Sequence, residues 1–151
     1  MMMGSHMVKG WSNTQSVIAL SSGEAEYYGV VRGTSSGMGL RSLMKDLDVD
    51  FRIRVRTDSS AALGVSRRRG LGKLRHVELS QLWLQERVSA GDVQVMKVKG
   101  CDNLADALTK HVVQEDISLH MRGTAQDFAP GRHVLAPEVA KDCTQDDATG
   151  M

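Results

Sequence analysis

Cysteine is scarce in this chain, which has two such residues, Cys101 and Cys143, among 151. Neither cysteine has a metal-ligand spacing to any of the five histidines, which are scattered along the chain. The pattern therefore argues against a zinc site. With an intracellular localisation, both cysteines are expected to be free thiols.

Long apolar runs are also missing. The hydrophobic content of 41% is ordinary for a globular protein, yet no window is long and apolar enough to span a bilayer. No secretory signal is recognisable, and the length suits one domain of ordinary size. The sequence therefore predicts an intracellular protein, cytoplasmic or nuclear, without a membrane partner.

Negative charge is nearly absent from the middle of the chain, although the net charge of the whole is only +1. After Val112 the balance turns acidic. A basic middle is typical of a surface that binds a polyanion, but a solvated loop would look the same. No aromatic residue interleaves with the basic ones, so stacking on single-stranded bases is not predicted. Between Arg52 and Arg75 the sequence has one acidic residue, Asp58, and eight basic residues, namely Arg52, Arg54, Arg56, Arg67, Arg68, Arg69, Lys73 and Arg75.

Hydrophobic periodicity predicts an α/β fold. Apolar residues at helical spacing run from Glu24 to about Leu47. Alternation over Phe51–Thr57 predicts a strand with one apolar face and one arginine face. From Lys141 onward the composition is that of a disordered tail. The other predicted elements are a strand remnant at Val8–Ala19, helices at Ser59–Ser66 and Leu74–Val88, a strand around Val93–Val98, and a short helix from Asn103 to about His111.

Gly29, Gly33 and Gly37 recur every four residues within the long helical pattern. Each costs up to about 1 kcal/mol relative to alanine in a helix interior. Their shared face predicts a close approach to another backbone, such as the sheet. A helix that breaks near Gly37-Met38-Gly39 is the alternative.

Three acidic residues stand where α/β proteins place ligands for metals or phosphates. Asp58 ends the predicted Phe51–Thr57 strand just before a helix. Glu24 begins the long helix after two serines and a glycine, and Asp106 shares a helix face with Asp102. Taken singly, each position is explained at least as well by helix capping or by a solvated helix face.

Four segments in this order resemble the ribonuclease H domain of copia-type LTR retrotransposon polyproteins: SSGEAEY, RTDSSAALGV, RHVELSQLWLQERV and NLADALTK. The resemblance runs from about Trp11 to about Lys110. It implies a mixed sheet flanked by helices and a metal-dependent endonuclease that cuts the RNA strand of RNA–DNA hybrids. The matching motifs imply that Glu24, Asp58 and Asp106 are catalytic and bind Mg²⁺ (or Mn²⁺).

The family pattern also contains a first aspartate, on an opening strand upstream of what is here Lys9-Gly10-Trp11. In this chain that region holds Met1 to Met7, of which Gly4-Ser5-His6-Met7 resembles a cloning scar. The resemblance therefore implies a fold that is incomplete at the N-terminus, lacks one of four metal ligands and cleaves weakly or not at all. The expected organisation is a tag remnant at 1–7, a partial ribonuclease H-like domain at 8–112 and a partly disordered extension at 113–151.

We expect six basic residues to contact the RNA–DNA hybrid, namely Arg67, Arg68, Arg69, Lys73, Arg75 and His76. Arg75 and His76 match a basic pair in the family motif, although His76 would serve equally well as a helix-entry cap or a packed ring.

Two alternatives to a nuclease stay open, namely a non-catalytic remnant that binds nucleic acid and a self-associating α/β module. In the self-associating module, the first strand that the resemblance implies is missing beside the Phe51–Thr57 strand. The bare edge of that strand would pair two copies in a homodimer.

Overall fold

The structure, a computed structural model, describes residues 1–70, 72 and 82–127 and has an α/β fold. None of the helices in these ranges is long and apolar enough to cross a membrane. The elements are β1 (Met2–Met3), β2 (His6–Met7), α1 (Ser22–Lys45), β3 (Ile53–Thr57), α2 (Ser60–Arg67), α3 (Trp83–Ser89), β4 (Val93–Lys97), two 3-10 turns (Gly100–Asp102 and Leu104–Leu108) and α4 (Gln114–Gly123).

The strands β3 and β4 form a parallel pair in which Ile53 lies opposite Val93 and Thr57 lies opposite Lys97. The ladder extends one residue further, because the Val98 N–H donates to the Thr57 carbonyl at 3.0 Å. Parallel neighbours need a crossover between them, and both α2 and α3 belong to that crossover. Within the described ranges this sheet has two strands.

The outer edge of β4 is covered by an arginine. Because the main chain of Val98 faces β3, residues of the other parity, including Val95, present their main-chain groups to the opposite edge. There the Arg67 guanidinium donates from Nη2 to the Val95 carbonyl at 3.0 Å. The outer edge of β3 has no comparable partner among the described residues.

Helices cover one side of the β3–β4 pair and enclose the core. Alternation along the strands places Ile53, Val93 and Val95 on this side, where all three are buried. Tyr27 of α1 and Leu84 of α3 pack into the same cluster and have no exposed surface. Burial raises the pKa of the Tyr27 hydroxyl to about 12. The predicted strand with one apolar and one polar face is therefore confirmed.

The long helix α1 approaches the sheet at one of its glycines. A Cβ atom on Gly37 would lie 3.3 Å from Cγ2 of Ile53, whereas Gly29 and Gly33 face open space. At Gly37 the close neighbour is the Ile53 side chain, so the predicted close approach to another backbone is not seen at any of the three glycines. The alternative of a break near this residue is wrong, because α1 continues to Lys45.

The N-terminal hairpin and α4 form a second cluster around the 3-10 turn Leu104–Leu108. The Met7 N–H donates to the Thr124 carbonyl at 3.3 Å. His120 of α4 is 9% exposed, and its Nδ1 lies 2.8 Å from the Leu104 carbonyl oxygen. A Cβ atom on Gly123 would lie 2.7 Å from Cδ2 of Leu104, so this helix end meets the turn without a side chain between them.

Some predicted elements differ from those observed. Val8–Ala19 is not a strand, and its Ile18 is 87% exposed. Residues 1–7, interpreted as a tag remnant, contribute the two short strands of the hairpin. The helix α4 lies where no element was predicted. Most of the predicted Leu74–Val88 helix before α3, and the predicted tail from Lys141, lie outside the described residues.

Candidate functional site

Asp58 follows β3 at the carboxyl end of the parallel pair, where the sequence predicted it. The cap of α2 is its neighbour Ser59, whose hydroxyl accepts the Ala62 N–H at 3.2 Å. Lys97, at the end of β4, donates from Nζ to the Asp58 carbonyl oxygen at 2.6 Å and to the Ser60 hydroxyl at 2.5 Å. Asp58 is therefore not the helix cap, and no described donor is hydrogen-bonded to its partly exposed carboxylate.

Glu24 lies in the first turn of α1 and is 3% exposed. Its N–H donates to the hydroxyl of the N-cap residue Ser21 at 3.2 Å. Its Oε1 accepts the Tyr28 hydroxyl at 2.7 Å, and its Oε2 accepts the Leu20 N–H at 3.0 Å. A glutamate that reaches back to the chain before its own helix resembles a capping box. In this conformation both carboxylate oxygens thus stabilise the helix start.

Asp106 lies in the 3-10 turn Leu104–Leu108, which takes the place of the predicted short helix. Asn103 caps the turn, because its Oδ1 accepts the Ala105 N–H at 3.4 Å. The same amide donates from Nδ2 to Asp106 Oδ1 at 3.0 Å, and Lys110 donates from Nζ to Asp106 Oδ2 at 2.6 Å. The four-residue spacing of Asp106 and Lys110 in the sequence was a signal for this ion pair.

The Lys110 ammonium lies where the fields of separate acidic residues overlap. Its pKa is raised above the ordinary value first by the hydrogen bond and charge of Asp106 and then by the charges of Asp58 and Glu26. The charge of Asp58 thus acts on the same ammonium that is paired with Asp106.

A pair of Mg²⁺ ions does not fit this arrangement. Such ions demand octahedral shells of oxygen ligands, and a two-metal site holds its ions about 3.5–4 Å apart. Among the described residues, no three His, Cys, Asp or Glu side chains come together in a way that could hold a metal. Glu24 and Asp106 already use their oxygens internally, which leaves Asp58 as the open carboxylate of the three.

The residues predicted to contact nucleic acid have different environments. Arg67 is tied to the Val95 carbonyl at the edge of β4 and so has a structural role. Arg68 is half-buried, and its charge opposes the rise in the pKa of Tyr27. Arg69 is exposed. The remaining three, Lys73, Arg75 and His76, lie outside the described residues.

The chain is similar to part of a retrotransposon polyprotein. It is 27% identical over 110 residues to the retrovirus-related Pol polyprotein from transposon TNT 1-94 of Nicotiana tabacum. The matched part is 72% of this chain and 8% of that polyprotein, so the chain spans a small fraction of its relative. No protein-family model matches the chain, and no solved structure matches it. The similarity supports a retrotransposon origin.

Proposed function

We propose that this chain is a ribonuclease H-like domain of a retroelement polyprotein, which binds RNA–DNA hybrids and cleaves them weakly or not at all in the conformation described. The similarity to the tobacco polyprotein supports the retroelement origin, and the four ordered motifs are the argument for the ribonuclease H-like domain. The observation that carries the proposal is Asp58, an open carboxylate at the carboxyl end of a parallel strand pair and at the entrance to a helix.

Weak cleavage follows from the state of the other two carboxylates. Both carboxylate oxygens of Glu24 accept hydrogen bonds, one from the Tyr28 hydroxyl and one from the Leu20 N–H, and Asp106 is paired with Lys110. Mg²⁺ or Mn²⁺ would have to displace these donors before it could be held by all three acids. We therefore assign no cleavage step to the arrangement.

A cleavage assay with a labelled RNA–DNA hybrid in Mg²⁺ and in Mn²⁺ tests the proposal. We expect the chain and its Asp58→Asn variant to bind the hybrid and to cut it equally little. The variant Asp48→Asn, altered at an exposed acid of the loop after α1, is the matched control. Robust cleavage that Asp58→Asn abolishes would contradict the predicted weakness, and absence of hybrid binding would contradict the function itself.

A non-catalytic remnant that binds nucleic acid is the second candidate, favoured by the closed carboxylate of Glu24. The double variant Tyr28→Phe with Lys110→Met removes one donor from Glu24 and one from Asp106. If the chain is a latent nuclease, this variant should cut the hybrid faster than the parent in Mn²⁺. An unchanged rate in a folded, hybrid-binding variant would select the remnant.

A further inference from the structure

The side of β3 that faces away from the helices displays a row of arginines. Arg54 and Arg56 are exposed, whereas Ile53 and Thr57, which alternate with them, are buried. Arg52, immediately before the strand, is exposed as well. We call these three residues the arginine row.

The arginine row has no acidic partner among the described residues. Other basic side chains of the same region do, since Arg41 pairs with Asp50 at 2.8 Å and Arg87 with Asp92 at 3.3 Å. On β4 the residues of the corresponding parity, Gln94 and Met96, are uncharged. Within Ile53–Thr57 and Val93–Lys97, the charged residues on the open side of the sheet are therefore all positive, and like charges so close together repel one another unless an anion lies between them.

We propose that the arginine row binds the sugar–phosphate backbone of a nucleic acid. Alternate residues of a strand are about 6.6 Å apart, so the row is about 13 Å long and presents its charges in a line. A line of evenly spaced cations suits a chain of phosphates better than it suits a compact anion. The row ends two residues before Asp58, so a backbone lying along it reaches the candidate site. The choice of nucleic acid as ligand rests on the function proposed above.

Binding by this surface should depend little on base sequence. Gln94 and Met96, the neighbours on β4, offer no aromatic ring on which a base could stack. Contacts to phosphates position a nucleic acid but carry no sequence information. We therefore expect similar affinities for hybrids of unrelated sequence.

The test is a titration of a short RNA–DNA hybrid in the presence of a chelator, followed by fluorescence anisotropy over a series of salt concentrations. The variant Arg54→Gln with Arg56→Gln should bind more weakly, and the slope of log affinity against log salt should fall by roughly two units, about 0.9 for each lost phosphate contact. The variant Arg54→Lys with Arg56→Lys should keep the parental slope. A matched control removes two exposed arginines on helices, Arg32→Gln with Arg122→Gln, and should change neither quantity as much.

An unchanged slope in the folded glutamine variant would overturn the inference, as would an equal loss in the helix control. The inference would also be overturned if the glutamine variant bound the hybrid as the parent does but no longer bound an acidic peptide that the parent binds, because the partner of the arginine row would then be a protein. The chelator separates this test from the proposed function, since binding needs no metal. Hybrid binding by the parent with an unchanged slope in the glutamine variant would overturn the arginine row alone, whereas a parent that does not bind the hybrid would contradict the proposed function itself.

Discussion

The Glu24 carboxylate accepts two hydrogen bonds while it is almost completely buried, from the Tyr28 hydroxyl and the Leu20 N–H. Glu24→Gln would turn an amide NH₂ toward one of these donors. Loss of an acceptor at a buried donor costs about 1–3 kcal/mol. We expect a decrease of that size in the free energy of unfolding, measured by urea denaturation in a chelator so that no metal contributes.

The matched control is Glu26→Gln, two residues further along the same helix turn and exposed. Its stability should remain close to that of the parent, because exposed charges contribute little. If Glu24→Gln were as stable as Glu26→Gln in the chelator, the hydrogen bonds of Glu24 would not contribute to the free energy of unfolding. A role of Glu24 as a metal ligand would then be favoured.

At the scale of residues, the sequence located the acidic positions but not their bonds. Asp58 and Glu24 stand at helix entrances, as the serines and glycine around them predicted. The contact of Lys97 with the Asp58 carbonyl depends on the register that places Lys97 opposite Thr57. No local pattern specifies a register between strands so far apart in the chain, so that contact could not be predicted.

The end of α2 is held by a single buried side chain of α3, Gln85. Its Nε2 donates to the Val65 carbonyl at 2.9 Å and to the Gly70 carbonyl at 3.1 Å, and its Oε1 accepts the Gly70 N–H at 2.8 Å. The last carbonyls of a helix have no partner within it. Gln85→Leu should therefore lower the free energy of unfolding by about 1–3 kcal/mol, measured by urea denaturation.

The same substitution on the open side of the sheet, Gln94→Leu, provides the control, because that glutamine is exposed. We expect a change within about 0.5 kcal/mol there. Equal effects at the two positions would mean that the hydrogen bonds of Gln85 do not hold α2 to α3.

At the scale of elements, the sequence predicted those parts whose burial follows a regular period. The elements α1, β3, α2 and β4 are confirmed because their apolar residues recur at helical or alternating spacing and face one core. The strand predicted at Val8–Ala19 failed because Val8, Val17 and Ile18 stay exposed. The helix α4 was missed because Ile117 and Leu119 are only partly covered, and its main anchors are His120 and the bare backbone at Gly123.

For the whole molecule, no described strand pairs with the outer edge of β3, so the alternative that two copies associate through this edge stays a prediction. An antiparallel pairing about a two-fold axis would bring Arg54 and Arg56 of both copies onto one face, where like charges oppose pairing. We therefore expect a monomer at low salt and a rising dimer fraction as salt screens the arginines. The measurement is molar mass by light scattering after size exclusion.

The variant Arg54→Gln with Arg56→Gln should dimerise at lower salt than the parent does, because it lacks the repulsion. A mass independent of salt in both proteins would contradict pairing through this edge. A dimer that dissociates as salt rises would point to an interface held by opposite charges, which β3 does not offer within the described residues.

The parallel pairing of β3 with β4 also has a kinetic consequence. Ile53 and Val93 meet only after the long crossover between them has closed, and the entropy of that closure must be overcome before any ladder bond forms. During this interval β3 has two open edges and is a template for joining another unfinished chain. The positive charges of Arg54 and Arg56 repel such a neighbour at the moment when the strand is most exposed. The arginines that mark the open sheet in the finished protein thus also act as gatekeepers against aggregation while it folds.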